Sequence, residues 1–201
     1  GQKIMKIQSN YASDFETENF EKAPTIDIYE SNGDVVFRHD ISKGVSPRFR
    51  NADCIYSEPA WRHGYKKFMQ RSNTTQYPPY KDYLLNQEKV IKELGIPSFI
   101  LCGADMLRTL KPQWVQDIYF YPYKDKKNFK IAGYNSEQFK FSSDHELLKI
   151  LAEKFDTILD FNCGYGNVIP FIREKGKHFI LSDICGHAIL KVAKDYMDYK
   201  I

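Results

Sequence analysis

The sequence predicts an α/β fold built on one mostly parallel sheet with an antiparallel hairpin at one edge. Three observations predict it. Short apolar runs at residues 98–102, 157–160 and 178–182 have the length and the Ile, Leu and Phe content of buried parallel strands. Stretches with apolar residues at helical spacing, at 83–94, 144–154, about 168–175 and about 186–199, stand between them. Two β-type runs at 115–123 and 129–134 flank the turn-like segment 124–128, the pattern of a hairpin.

Taken in order, residues 1–31 are polar, mixed in charge and without clear period, so they are expected to form an arm ahead of a single domain over 32–201. Ser31-Asn32-Gly33-Asp34 makes a turn into a strand over 35–41, which ends near Asp40. A second strand, 53–57, is stopped at once by Glu58-Pro59-Ala60-Trp61, because a proline donates nothing to a β-ladder. Residues 61–83 are basic, aromatic and irregular and are expected to form a substrate loop. Gly95 and Pro97 close the helix over 83–94, and Gly103 ends the strand over 98–102. Ser143 or Asp144 caps the helix over 144–154. The run 157–160 then breaks into a loop carrying Gly164 and Gly166, and a helix, a strand ending on Asp183 and a last helix follow.

With 201 residues, 42% apolar and 27% charged, the chain can bury a proper core as one globular unit. No apolar run approaches the roughly 20 residues that cross a bilayer, and the first residues lack the apolar stretch of a secretory signal. An intracellular, cytoplasmic protein without membrane contact is expected. Cys54, Cys102, Cys163 and Cys185 lie far apart with no C-x-x-C pair, which favours reduced thiols and gives no metal site. A net charge of +3 permits an anionic partner without requiring one.

The chemistry concentrates in two segments. Asp160 ends one strand and Asp183 ends the next, 23 residues downstream, so that both carboxylates face one crevice. A carboxylate at the end of the second strand suits ribose hydroxyls, and the loop from Asn162 through Cys163 and Gly164 to Gly166 offers backbone N–H groups to a nucleoside-bearing cofactor. The third glycine of G-x-G-x-x-G is missing, which disfavours pyrophosphate. A strand-to-helix turn that uses glycine for geometry alone is the simpler alternative. In the second segment, Glu58, the Pro59 carbonyl and the Trp61 ring offer two acceptors and a stacking face, enough to hold a planar amine. A strand-end proline with a packed Trp61 is the alternative there.

The stretch Asp160-Phe-Asn-Cys-Gly-Tyr-Gly166 resembles the D-x-x-x-G-x-G motif of S-adenosylmethionine-dependent methyltransferases. Glu58-Pro-Ala-Trp61 resembles the D/N/S-P-P-Y/F/W motif of the amino-methyltransferases that act on adenine N6 and cytosine N4 in DNA and RNA. The early strand ending at Asp40 comes first, then the Glu-Pro-Ala-Trp segment, then the glycine loop and Asp183. That is similar to the circularly permuted order of the family's β-group, which includes the messenger-RNA adenosine methyltransferases. The resemblance covers about residues 34–201 and implies a Rossmann-like methyltransferase sheet that binds S-adenosylmethionine. It implies Glu58, Pro59 and Trp61 as the catalytic set, Asp160, Asn162, Cys163, Gly164, Gly166, Asp183 and Ile184 around the cofactor, and Asp40 or Ile41 at its adenine. A nucleic acid or nucleotide substrate follows from the same resemblance. So does a second possibility, a weakly active binding module or partner subunit, because Glu58 and Ala60 depart from the motif. Ser143 and Asp144 also stand where the family often has Lys-Pro, and no separate target-recognition region is evident. Gln76-Tyr-Pro-Pro-Tyr80 carries a Pro-Pro-Tyr without a preceding strand and reads as a loop. His145 reads as a partly exposed helix residue rather than a ligand.

Overall fold

The computed structural model describes residues 23–72, 74, 76–103, 106, 108, 117–123 and 126–200. Its first element is a hairpin of β1 (Ile28–Ser31) and β2 (Asp34–Arg38), turned by Asn32 and Gly33 at φ 53° and 83°. Two successive left-handed residues are what a two-residue hairpin turn requires, and Asn-Gly supplies them at least cost. The sheet continues with β3 (Cys54–Ser57), β4 (Ser98–Cys102), β5 (Asp117–Tyr123), β6 (Lys126–Tyr134), β7 (Thr157–Asp160) and β8 (His178–Asp183). It is accompanied by the helices α1 (Arg62–Arg71), α2 (Tyr80–Leu94), α3 (Asp144–Lys154), α4 (Ile169–Glu174) and α5 (Gly186–Tyr196).

The strands form one sheet in the order β1-β2-β8-β7-β3-β4-β6-β5. The four central pairings, β2 with β8, β8 with β7, β7 with β3 and β3 with β4, are parallel. Both edges are antiparallel, β1 on β2 at one side and β6 between β4 and β5 at the other. The hairpin expected at one edge is present as β5 and β6, and the N-terminal hairpin adds a second.

Period-two alternation assigns side chains to the two faces. Val36, Cys54, Phe99, Ile158 and Phe179 lie in a core shared with α3, α4 and α5. Val35, Phe37, Ile55, Ile100 and Leu159 lie in the opposite core, covered by α1, α2 and the 3₁₀ turns at Ile41–Lys43 and Pro47–Asn51. Because both faces are covered, the central strands read as continuous apolar runs. All four cysteines are buried, and none is in a disulfide.

The chain leaves β7 toward α4 on one face and leaves β3 toward α1 and α2 on the other, although β7 and β3 are neighbours. At such a divergence the carboxyl ends of the two strands open a crevice. The amino ends are tied shut by carboxylates instead. Asp53 accepts from the backbone N–H groups of Asp156 and Thr157 at 3.0 and 2.9 Å. Asp34, only 8% exposed, accepts from that of Phe179 at 3.0 Å.

Three expectations need correction. Residues 28–31, assigned to the arm, are an edge strand; only residues 23–27 of the remaining arm are described, and they include no strand or helix. The first core strand stops at Arg38 rather than running to 41, because Asp40 caps the 3₁₀ turn that follows and accepts from the Ser42 N–H at 2.9 Å. The stretch expected as an irregular loop over 61–83 instead contains α1 at Arg62–Arg71 and the first turn of α2 from Tyr80. Only Tyr65 and Met69, four residues apart, are buried among the ten residues of α1, too narrow a stripe to stand out against so many cations.

Candidate functional site

A cavity of about 600 Å³ opens at the carboxyl ends of β3 and β7. Glu58, Pro59 and Trp61 enter it from beyond β3, and Asp160, Asn162, Cys163, Gly164 and Asp183 enter it from beyond β7 and β8. The two segments singled out from sequence are therefore opposite walls of one site. Asp40, Ile41 and Ile184 line a narrow neighbouring cavity of about 30 Å³, which shares Tyr83, Asn162 and Asp183 with the larger one. Asp40 and Ile184 also border an open depression of about 440 Å³ on that side. Gly166 lines none of these. Its φ is +78°, and a Cβ there would lie 2.9 Å from the Ile169 side chain, so the residue must be glycine for backbone and packing reasons. Gln76, Tyr77 and Pro78 reach the narrow cavity rather than the large cleft, and Pro79 leads directly into α2.

A buried hydrogen-bond chain joins the walls. The Ser57 hydroxyl and the Asn162 backbone N–H both donate to Oδ1 of Asp160, at 2.7 and 2.9 Å. The Asn162 side-chain amide donates to Ser57 Oγ and to Gln87 Oε1, both at 2.9 Å. Tyr83 donates to Asn162 Oδ1 at 3.2 Å and accepts from the Ala60 N–H at 3.0 Å, while Tyr80 donates to the Ala60 carbonyl at 2.8 Å. Where the resembled motif has a second proline, Ala60 thus brings an N–H that Tyr83 holds, and the turn stays fixed.

On the opposite wall, Asp183 accepts from the backbone N–H groups of Gly164 and Cys185 at 2.9 and 3.0 Å. This ties the glycine loop to the end of β8. Trp61 donates from its indole N–H to Glu58 at 3.2 Å, and its ring lies against Gly103, where a Cβ would come within 3.2 Å of it. A side chain at residue 103 would therefore crowd the indole.

Charge is distributed unevenly around the cleft. Glu58, Asp144, Asp160 and Asp183 all line it. Burial, with the neighbouring Asp183 charge, pushes Asp160 up to about 7 against the hydrogen bonds from Asn162 and Ser57. Burial also raises Asp183, against the N–H bonds it accepts. Glu58 is open to a water-sized molecule from the cavity but walled by protein, and that desolvation, with Asp144 and Asp160 nearby, pushes it up to about 7. Crowded, desolvated carboxylates favour a cation among them. Burial raises the Cys163 thiol as well, which keeps it protonated and unreactive.

His63, Lys67 and Arg71 of α1 line the same cavity. His145 is a partly exposed residue of α3, as expected; it also lines the cavity and stacks on Phe171 at 5.1 Å. Ser143 caps α3 by accepting from the Glu146 N–H. Sequence reading passed over Ser57 and Tyr83. Ser57 had a signal, a polar residue ending an apolar strand beside Glu58; Tyr83 had none, because its partner Asn162 lies 79 residues away. Among the described residues no cluster of His, Cys, Asp and Glu could hold a metal ion, and no helix is long and apolar enough to cross a membrane.

No family model matches the chain, and no curated protein does. Solved structures do match. M1.HpyAVI aligns with a TM-score of 0.53 at 11% identity, over 82% of this chain and 98% of that one. TTHA0409 from Thermus thermophilus, assigned as a DNA modification methylase, aligns with a TM-score of 0.51 at 11% identity, over 82% of this chain and 96% of that one. With its single, mostly parallel sheet and the crevice between β7 and β3, this chain has a methyltransferase-type α/β fold.

Proposed function

We propose that the protein is an S-adenosylmethionine-dependent methyltransferase acting on the exocyclic amine of a nucleobase, adenine N6 foremost, in DNA or RNA. The observation that carries this is the single 600 Å³ cleft in which the Glu58-Pro59-Ala60-Trp61 segment faces the glycine loop. The assignment of TTHA0409 to DNA modification supports the reading, as does the resemblance of both motifs in their permuted order.

The residues fit the cofactor. S-Adenosylmethionine supplies a methyl group on a positively charged sulfur and carries an ammonium group as well. Four carboxylates, two of them buried at the carboxyl ends of β7 and β8, suit those two cations, and the cleft volume lies within the usual range of about 300–1,000 Å³ for such sites. Asp160, Asn162, Cys163, Gly164 and Asp183 would hold the cofactor's polar groups, with Asp40, Ile41 and Ile184 toward its base. Gly166 would act through the shape of the loop.

On the other wall, Glu58 and the Pro59 carbonyl accept the two N–H groups of the acceptor amine, which leaves the nitrogen lone pair directed away from them. Trp61 stacks on the base. A carboxyl near 7 can also take up the proton that the amine releases once methylated. The fixed Ala60 backbone matters because positioning supplies most of the rate in such transfers.

Isothermal titration with S-adenosylmethionine, followed by methyl transfer to mixed DNA, RNA and nucleotides, tests the proposal. Binding with transfer that Glu58→Ala abolishes supports it; binding with no transfer supports the second reading, a methyltransferase-like binding module or partner subunit. That second reading rests on Glu58, one methylene longer than the usual Asp or Asn. Absence of binding overturns the enzyme reading and the cofactor claim of the second.

A further inference from the structure

The row His63, Lys67 and Arg71 has no part in the chemistry above, yet all three residues line the reactive cleft. They stand at i, i+4 and i+8 on α1, one above another on a single helix face, about 6 Å apart along the axis at 1.5 Å per residue. No carboxylate occurs anywhere from residue 59 to 81, so this stretch of chain carries a local excess of basic side chains. The opposite is true of the cleft floor, where Asp160 and Asp183 are 6% and 3% exposed. One cavity thus has an anionic floor, suited to a cationic donor, and a cationic wall that such a donor would not choose.

We infer that the His63–Lys67–Arg71 face is a rail for the phosphodiesters flanking the target base, so that the acceptor is a nucleotide within a single strand or flipped out of a duplex, not a free base or nucleoside. This rests on the methyltransferase reading for what enters the cleft, but not for the rail itself. A base stacked on Trp61 carries its sugar toward the mouth, and α1 begins at the residue after Trp61. The helix therefore starts at the stacking residue and carries the cations away from it along the cleft wall. Phosphate contacts of this kind position a strand without reading its sequence.

The test is cofactor-free binding of a labelled single-stranded oligonucleotide of about 12 nucleotides, a length that spans a typical single-strand site, by fluorescence anisotropy over a salt series. DNA and RNA versions are run in parallel. Each phosphate contact removed should lower the slope of log K against log salt by about 0.7, so Lys67→Ala/Arg71→Ala should lower it by about 1.4 and weaken all sequences alike. Lys89→Ala/Lys194→Ala, the same charge change on α2 and α5 outside the cleft, should leave the slope near that of the parent. Thermal midpoints verify that both pairs fold. An unchanged slope in the α1 variant, an equal fall in the control, or no oligonucleotide binding by the parent protein overturns the rail. Oligonucleotide binding with no methyl transfer leaves the rail standing and sinks the enzyme reading. Transfer to free adenosine as fast as to the oligonucleotide does the reverse.

Discussion

Replacing Asp160 by asparagine should make the protein more stable and less able to hold its cofactor. Both hydrogen bonds to Asp160 end on the same oxygen, Oδ1, so an asparagine amide can keep the Ser57 and Asn162 donors on its own carbonyl. What disappears is the charge. A carboxyl moved from an ordinary 3.8 to about 7 represents about 4 kcal/mol of disfavoured ionisation, at 1.36 kcal/mol per pH unit. The sign follows from linkage. Between pH 3.8 and about 7 the folded protein binds the proton that the unfolded chain has lost, so the contribution of Asp160 to stability falls as pH rises and is fully unfavourable above 7. Asp160→Asn should therefore match the parent near pH 3.5 and exceed it by about 2–4 kcal/mol at pH 8, a rise of about 2–4 °C in unfolding midpoint per kcal/mol. Calorimetric scans at pH 5, 6, 7 and 8 measure the growing difference, and titration with S-adenosylmethionine should find weaker binding by the variant. A gap that does not widen with pH, or a variant less stable at pH 8, would overturn this account of Asp160.

Three other outcomes are expected. Tyr83→Phe leaves the Ala60 N–H and Asn162 Oδ1 without their partner in a site 3% exposed, at a cost of about 1–3 kcal/mol, and should lower turnover more than cofactor affinity; parent-like turnover would remove Tyr83 from the positioning chain. The methyl-transfer rate should climb through about pH 7 as Glu58 ionises and becomes an acceptor, and Glu58→Gln should abolish that inflection, which a pH–rate profile reads directly. Gly166→Ala, forced to φ +78° with its methyl 2.9 Å from Ile169, should cost about 1–3 kcal/mol by urea unfolding; a neutral result would mean that α4 can shift to make room.

The parallel core was legible in the sequence because strands covered on both faces are apolar throughout, and 98–102 and 157–160 form strands over those ranges. Edge strand β1 was not, since one of its sides meets solvent and Ile28 is 41% exposed; its composition is that of a polar arm. Helix α1 was hidden for a related reason, having two buried residues amid a run of cations. At the site, local motifs revealed both walls, because each is a short segment at a strand end. The link between them was illegible. Ser57 and Tyr83 meet Asp160 and Asn162 only after the chain has folded, and no local spacing encodes that meeting.

The β7–β3 pairing has a consequence for how the site comes into being. Its ladder is only two residue pairs long, Cys54 with Ile158 and Ile55 with Leu159. The Asp53 bonds extend it at one end and the Ser57–Asp160 bond at the other, and these contacts span 103 or 104 positions of chain. Closing a loop of that length costs on the order of 4 kcal/mol in chain entropy, which two residue pairs and the flanking side-chain bonds have to offset. β7 with β8 and β3 with β4 can each form from nearer neighbours, whereas β2 reaches β8 across 145 positions, and the crevice exists only once β7 and β3 join. Amides of β3 and β7 should then exchange with solvent through partial openings that leave β8 and β4 protected, and a ligand spanning the two walls would act as the clasp that closes them.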